Sequence, residues 1–188
     1  MAGHRQLSCA TSFKTSLARA GTLTSMTNPI LQFLPADARH PDLDPQTDLY
    51  GRFIGSWDID NHHYDESRGQ WVDNRGEVHF GWILGGRAIQ DLWGSPERSF
   101  GTTIRAYDAD IDAWRIHWFA PAWTSYCTLV GRADGDRIIQ GGEQSDGRPI
   151  RWSFNDITPS SFLWRGEVSD DGGATWRLEQ EMRARRRT

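Results

Sequence analysis

The chain of 188 residues is long enough for one domain with a sizeable hydrophobic core, which needs no disulfide or metal for stability. A net charge of −4, with clustered basic residues only at the last few positions, argues against nucleic acid as a partner. Two distant cysteines suggest a reducing, cytoplasmic compartment, and no apolar run reaches the roughly 20 residues of a membrane span.

The first residues differ in composition from the rest of the chain. Residues 1–25 are rich in Ser and Thr and contain no acidic residue. That composition fits a targeting segment, or a start codon assigned upstream of a true start at Met26, and both interpretations stay open. We expect residues 1–28 to be a disordered leader. Residues 29–50 are predicted to be an extended lead-in, with a short helix over 30–34 that packs on or plugs the fold.

From Arg52 onward, short alternating or aromatic-rich runs are separated by Gly and Asp turns about every ten positions, which is typical of an all-β sandwich or barrel. Gly85-Gly86, Asp134-Gly135 and Asp146-Gly147 tolerate the positive φ of tight hairpins. We predict an all-β fold over residues 51–188, a single antiparallel up-and-down β-barrel of about ten strands. The predicted strands are 52–64, 76–84, 87–94, 99–107, 112–119, 123–132, 136–144, 148–156, 160–168 and 175–186.

Tight turns fix the register, and the register decides which side chains share a face. We take the more aromatic face of each strand as the inner one. The lumen is then lined by large rings with a small polar minority, which is the makeup of small-molecule sites. The predicted ligand-binding residues are Asn61, His63, Trp82, Asp91, Trp93, Trp118, Tyr126, Glu143, Trp152, Trp164 and Gln180.

The turn before the last predicted strand, residues 169–176, has the pattern S-x-D-x-G-x-T-W. In glycan-cleaving propellers this pattern occurs in repeated copies, whereas one copy is present here. We therefore expect a structural turn, in which Asp171 and Thr175 satisfy backbone groups and Trp176 anchors the next strand.

Gly55-Ser56-Trp57 resembles the G-x-W of lipocalins and other calycins. The resemblance implies a barrel like those of lipocalins and fatty-acid-binding proteins, in which Trp57 closes one end and Arg183 or Arg185 packs across it. Over roughly residues 50–186 the chain is similar to a bacterial calycin-like family of largely unknown function. The other segments that carry this likeness are Trp82–Arg87, Arg105–Asp108, Trp114–Trp118 and the hairpin from Asp171 to Met182. Calycins include carriers, haem-binding barrels and some enzymes, so the family does not decide the function.

Our first hypothesis is a binding module that holds an apolar, aromatic or isoprenoid-like small molecule in the lumen. The alternative is a cofactor-free cyclase, isomerase or decarboxylase. Its acid–base residues would be His63, Asp91, Glu143 and Tyr126, because a carboxylate beside indole rings has a raised pKa. A third reading is a structural barrel with a filled lumen.

Neither a metal nor a cofactor is expected. His62 and His63 are neighbours on a strand, so they point to opposite faces and cannot grip one ion together. No phosphate-binding, dinucleotide or nucleophile-elbow motif is present. An oligomer is possible, but nothing in the sequence indicates one.

Overall fold

Eleven antiparallel strands dominate the structure, which is a computed structural model that describes residues 28–95 and 98–188. One short helix, α1 (Ile30–Phe33), precedes them, and the predicted leader lies outside the described residues apart from Asn28. The strands are β1 (Pro35–Ala36), β2 (Gly55–Asp65), β3 (Gln70–Ile83), β4 (Ala88–Ser95), β5 (Arg98–Asp108), β6 (Ala113–Ala120), β7 (Ser125–Asp134), β8 (Arg137–Glu143), β9 (Pro149–Asn155), β10 (Ser161–Val168) and β11 (Arg177–Arg186). No helix among the described residues is long and apolar enough to cross a membrane.

Ten of these strands, β2 to β11, form a closed up-and-down barrel. Each pairs with the next strand along the chain, and β11 pairs back with β2, where Met182 lies opposite Asn61. The extra strand β1 adds to β3. The predicted all-β barrel is therefore confirmed. Closure removes the free edges of the sheet and creates an interior.

One end of the barrel is packed solid with aromatic rings. Tyr50 and Phe53 enter from the segment that precedes β2, and both are fully buried together with Trp57 and Trp114. The Phe53 ring centroid lies 4.6 Å from that of Phe154 and 6.4 Å from that of Trp57, whose indole N–H donates to the Phe53 carbonyl at 2.7 Å. We call this the closed end.

An arginine covers the closed end from outside. The guanidinium carbon of Arg186 lies 4.1 Å from the Trp57 ring centroid. The same group donates to the carbonyls of Arg52, Ile54 and Pro159, each at 2.7 Å. A cation over an indole face combined with three hydrogen bonds ties β11 to the start of β2 and to the turn before β10.

The resemblance to calycins implied such an arginine, but it placed the role on Arg183 or Arg185, and that assignment is wrong. Both of these residues point outward and are exposed, whereas Ala184 and Arg186 follow the inner face of β11. Gly55 is required here, because its φ is +122° and a Cβ would lie 2.9 Å from Nη1 of Arg186.

The short helix does not plug the barrel. The side chains of Ile30, Leu31 and Phe33 are exposed, the last to 82%. The chain after α1 runs along β3, where the Leu84 N–H donates to the Leu34 carbonyl at 3.0 Å, so the helix has no access to the lumen.

The hairpin at Asp146-Gly147 is where the predicted faces go wrong. Glu143 pairs with Pro149, so the loop has five residues, 144–148, instead of the two-residue turn at Asp146-Gly147 on which the predicted faces rest. An odd loop reverses the inside–outside alternation between the two strands. Tyr126 and Glu143 consequently lie on the outer surface, and Tyr126 is 42% exposed. The inner residues of β7 and β8 are instead Cys127, Leu129, Ile138 and Gln140.

Candidate ligand-binding site

The half of the barrel away from Trp57 encloses a cavity of about 410 Å³. Small-molecule sites in proteins typically have volumes of about 300–1,000 Å³, so this space is large enough for a compact ligand. Side chains from most of the barrel strands line it, and these fall into a tryptophan wall, a buried ion pair, an amide network and an acidic rim.

The tryptophan wall consists of Trp93, Trp118, Trp123, Trp152 and Trp164. Ring centroids lie 5.6 Å apart for Trp93 and Trp123, 6.3 Å for Trp118 and Trp152, and 5.5 Å for Trp152 and Trp164. The interplanar angles are 56°, 84° and 60°, so the indoles are steeply tilted against each other. Tilted and edge-to-face arrangements are those that aromatic rings prefer, so such a wall suits contact with another aromatic group.

The sequence-predicted tryptophans divide into two groups. Trp93, Trp118, Trp152 and Trp164 line the cavity, whereas Trp82 is buried at the other end of β3, opposite Ala36, and is not part of the lining. Trp123 was missed. The sequence analysis had included it in the predicted strand 123–132, but the strand begins at Ser125 and Trp123 lies in the turn between β6 and β7, where side chains do not follow strand alternation.

Asp91 on β4 and Arg105 on β5 form a buried ion pair deep in the cavity. Arg105 Nη1 donates to Asp91 Oδ2 at 2.5 Å, and the Thr103 N–H donates to Asp91 Oδ1 at 3.0 Å. The side chains are only 6% and 3% exposed. Because a buried charge is costly unless it is paired, each residue offsets the free-energy cost of burying the other. Asp91 was predicted as an inner residue, but its partner Arg105 was not found from the sequence.

Aromatic rings surround the guanidinium of Arg105. Its central carbon lies 5.1 Å from the ring centroid of Tyr50, 5.6 Å from that of Phe80 and 5.9 Å from that of Phe154. Burial raises the pKa of the Tyr50 hydroxyl above its usual range, and Arg105 opposes this only in part. Among the described residues, neither that hydroxyl nor Arg105 Nε has a hydrogen-bond partner.

An amide network occupies the β11–β2–β3 side of the cavity. Asn61 Nδ2 donates to Asn74 Oδ1 at 2.8 Å, and Gln180 Nε2 donates to Asn61 Oδ1 at 2.7 Å. The imidazole Nδ1 of His63 lies 3.2 Å from Asn61 Nδ2. The structure thus brings together Asn61, His63 and Gln180 and adds Asn74, which sequence reasoning had not singled out.

The rim carries a carboxylate, Glu179, that strict alternation with the inner residue Gln180 would put on the outer face. Gly166 pairs with Gln180 and Glu167 with Leu178, so Glu179 is the extra residue of a β-bulge. A bulge breaks the alternation of a strand, and both Glu179 and Gln180 line the cavity. Burial raises the pKa of the Glu179 carboxyl, while Arg177, 3.6 Å away, and Arg148 act to lower it.

The four residues of the acid–base hypothesis are not assembled in one place. His63 and Asp91 line the cavity, but Tyr126 and Glu143 lie on the outer surface because of the five-residue loop. Both oxygens of Asp91 are engaged, by Arg105 and by the backbone of Thr103. The described residues contain no cluster of three or more potential metal ligands.

Cys127 lines the cavity next to Trp118, its neighbour across β6 and β7. Burial raises the pKa of its thiol to about 11, with a smaller contribution from the charge of Asp146. The thiol is therefore protonated at neutral pH and contributes to the wall as a small apolar group.

No protein-family model matches the chain, and no curated protein matches it. Solved structures do. The crystal structure of Rv2717c from M. tuberculosis is 12% identical, covers 78% of this chain and 100% of its own, and superposes with a TM-score of 0.52. A de novo designed fluorescence-activating β-barrel is 17% identical over 74% of this chain and 98% of its own, with a TM-score of 0.34. At such identities the likeness to the mycobacterial protein concerns the barrel fold alone.

Proposed function

We propose that this protein binds an apolar small molecule, aromatic or isoprenoid-like, in the tryptophan-walled cavity, and that it does so as a soluble cytoplasmic protein. The observation that carries the proposal is a cavity of about 410 Å³ that five indole rings border, within a barrel whose other end is packed solid. An apolar ligand in the cavity makes dispersion contacts with these rings.

The size of the cavity narrows the class of ligand. Its volume lies toward the lower end of typical ligand sites, which favours two or three fused rings or a short isoprenoid over a long flexible chain. A ligand that buries about 250 Å² of apolar surface gains roughly 6 kcal/mol before the cost of association is subtracted. Hydrophobic contact alone therefore gives modest affinity, and polar contacts must add to it.

The test is titration of the purified chain with naphthalene, as an aromatic probe, and with geraniol, as an isoprenoid probe. Binding is measured by calorimetry and by the change in tryptophan fluorescence. We expect saturable binding of at least one probe at one site per chain. Absence of binding for both would refute the proposal, and native mass spectrometry of the freshly purified protein would reveal a ligand that already fills the site.

A matched pair of variants locates the site. Trp152 lines the cavity, whereas Trp71 lies on the outer surface, where it stacks on His62 with a centroid distance of 4.4 Å. Trp152→Leu should weaken probe binding by about tenfold, since it removes one aromatic wall, and Trp71→Leu should leave binding unchanged. Equal effects of the two substitutions would place the probe outside the cavity.

A further inference from the structure

The ion pair of Asp91 and Arg105 is a polar anchor with unused hydrogen-bonding capacity. A guanidinium has five N–H donors in a planar fork. Among the described residues, Arg105 uses one of them in a hydrogen bond, from Nη1 to Asp91, and its Nε has no partner. The side chain is almost wholly buried and borders the cavity. Its remaining donors thus favour a ligand that brings an oxygen atom, as a hydrogen-bond acceptor, to the part of the cavity next to Arg105.

The charges around the cavity indicate whether this oxygen belongs to a charged or to an uncharged group of the ligand. Asp91 neutralises Arg105, and the rim arginines Arg148 and Arg177 lie among the carboxylates of Asp146, Asp170 and Glu179. Among the described lining residues, no cation is left without an acidic partner. A ligand carboxylate would bring a charge into this apolar space without a counter-ion, next to the negative charge of Asp91. An ammonium group at the same depth would face the positive charge of Arg105, which repels it.

We propose that Arg105 donates a hydrogen bond to an uncharged oxygen of the ligand, so that the ligand is an aromatic or isoprenoid carbonyl compound such as a ketone, aldehyde, ester or quinone. Its rings or isoprene units lie among the tryptophans, and its oxygen points toward β4 and β5. This inference rests on the proposed function and names the head group of the ligand. A bound water is a second source of the same uncharged oxygen, and the experiment separates the two.

The test compares head groups on one ring system. Naphthalene, 2-acetylnaphthalene, 2-naphthoate and (2-naphthylmethyl)trimethylammonium are titrated calorimetrically into the full chain. We expect the ketone to bind about tenfold more tightly than the hydrocarbon, because a hydrogen bond to a charged donor is among the stronger ones. The carboxylate and the ammonium compound should bind more weakly than the ketone by at least the same factor.

Two variants test whether the ion pair sets this preference. In Asp91→Asn the charge of Arg105 is uncompensated, so naphthoate should gain affinity by about tenfold relative to the wild type. In the double variant Asp91→Leu with Arg105→Met the donors are gone, and the ketone should bind no better than the hydrocarbon. The control is Asp108→Leu with Arg115→Met, a pair on β5 and β6 outside the cavity with an N–O distance of 2.5 Å, which should keep the wild-type ratio.

The outcomes separate failure of the inference from failure of the proposed function. If no naphthyl compound or geraniol binds, both are wrong. If naphthalene and the ketone bind equally well, a water satisfies Arg105 and the inference is wrong while the proposed function stands. Tightest binding of the carboxylate or of the ammonium compound by the wild type also overturns the inference. If Asp91→Asn does not fold, the ketone-to-hydrocarbon ratio in the double variant decides.

Discussion

The two ends of this barrel are built from the same kind of residue and differ in what lies between the rings. At the closed end, the Phe53 ring packs against Tyr50 and Trp57, and all three side chains are fully buried. At the other end, indoles such as Trp118 and Trp152 pack edge to face, with centroids 6.3 Å apart, and both border a cavity. The closed end is filled because the segment before β2 inserts two rings into it. No described segment does so at the end that holds the cavity, which we call the open end.

This difference shows that aromatic content alone does not distinguish a core from a binding wall. Trp57 and Trp164 are both inner tryptophans of the barrel, yet one is held by Phe53 and Arg186 and the other borders the cavity. An inner tryptophan belongs to the core where other side chains fill the space beside it, and to the binding wall where they do not. Removal or addition of filler at each end is therefore the direct way to test the contrast.

The largest effect should follow from removal of the closed-end filler. Phe53→Ala deletes a ring that contacts Trp57, Phe80, Phe154 and Phe162, and we expect a loss of about 3–5 kcal/mol in the free energy of unfolding, measured by urea denaturation. Phe53→Leu keeps most of the volume and should lose much less. A loss below about 1 kcal/mol for Phe53→Ala would mean that the closed end is loosely packed.

Addition of a ring should separate the two ends. Leu129 and Cys127 are two residues apart on the inner face of β7, but only Cys127 borders the cavity. Leu129→Phe should cost about 1–3 kcal/mol by overpacking, whereas Cys127→Phe should change stability by less than about 1 kcal/mol and weaken naphthalene binding about tenfold. Urea denaturation measures both stability losses. If they were equal, the surroundings of Leu129 and Cys127 would not differ in free space.

The cap of the closed end should matter more than its exposed neighbours. Arg186→Ala removes three hydrogen bonds to carbonyls and the contact with Trp57, with an expected loss of about 1–3 kcal/mol. Arg185→Ala removes only a surface ion pair with Asp60 and should lose less than about 1 kcal/mol. Thermal unfolding of both variants checks the order, and a reversed order would show that the cap does not hold this end.

The smallest effect concerns the rim of the open end. The pKa of Glu179 is raised above 4.5 in the folded state, so the folded protein holds this proton more tightly than the unfolded chain does. As pH rises from about 4.5 through the folded pKa, the wild type should lose stability relative to Glu179→Gln, and the difference should stay constant at higher pH. Urea denaturation across this range measures the difference. A difference that is flat or of the opposite sign would contradict the burial of this carboxylate.

The strand order was predictable because its signals are local. Gly85, Gly135 and Gly147 all have positive φ, as the hairpin reading of the sequence required. Each such turn brings consecutive strands together, and the nine pairings of consecutive strands leave β2 and β11 as the two edges that close the barrel. The turn at 169–176 follows its pattern too. Asp171 accepts hydrogen bonds from the N–H and hydroxyl of Thr175 at 2.8 and 2.7 Å, which lower the pKa of Asp171 to about 2.

The faces were less predictable, because one extra residue reverses them. The five-residue loop 144–148 moved Tyr126 and Glu143 to the outer surface, and the bulge at Glu179 added a carboxylate to the rim. Neither feature changes the composition of the strands, so alternation alone does not reveal them. Trp152, which follows the loop, was correctly placed inside.

Arg105 was missed although a signal existed. The sequence placed Asp91 inside, and a buried carboxylate requires a cation close by. The neighbouring strand β5 offers Arg105, whose side chain reaches Asp91 from a residue pair that is offset along the two strands. A search for the partner of each predicted buried charge would have led to it.

The seam between β2 and β11 has a consequence for how the barrel forms. Its residues are far apart in sequence, as the hydrogen bond between Asn61 and Gln180 across 119 positions shows, whereas the other barrel pairings join consecutive strands. The loss of chain entropy is greatest for this contact. We therefore expect the pairings of consecutive strands to form first and the pairing of β2 with β11 to limit the folding rate. Until then both strands are open edges. The acidic Asp58 and Asp60 on one and the basic Arg183 and Arg185 on the other are paired in register, so opposite charges select this edge partner over a second copy of either strand.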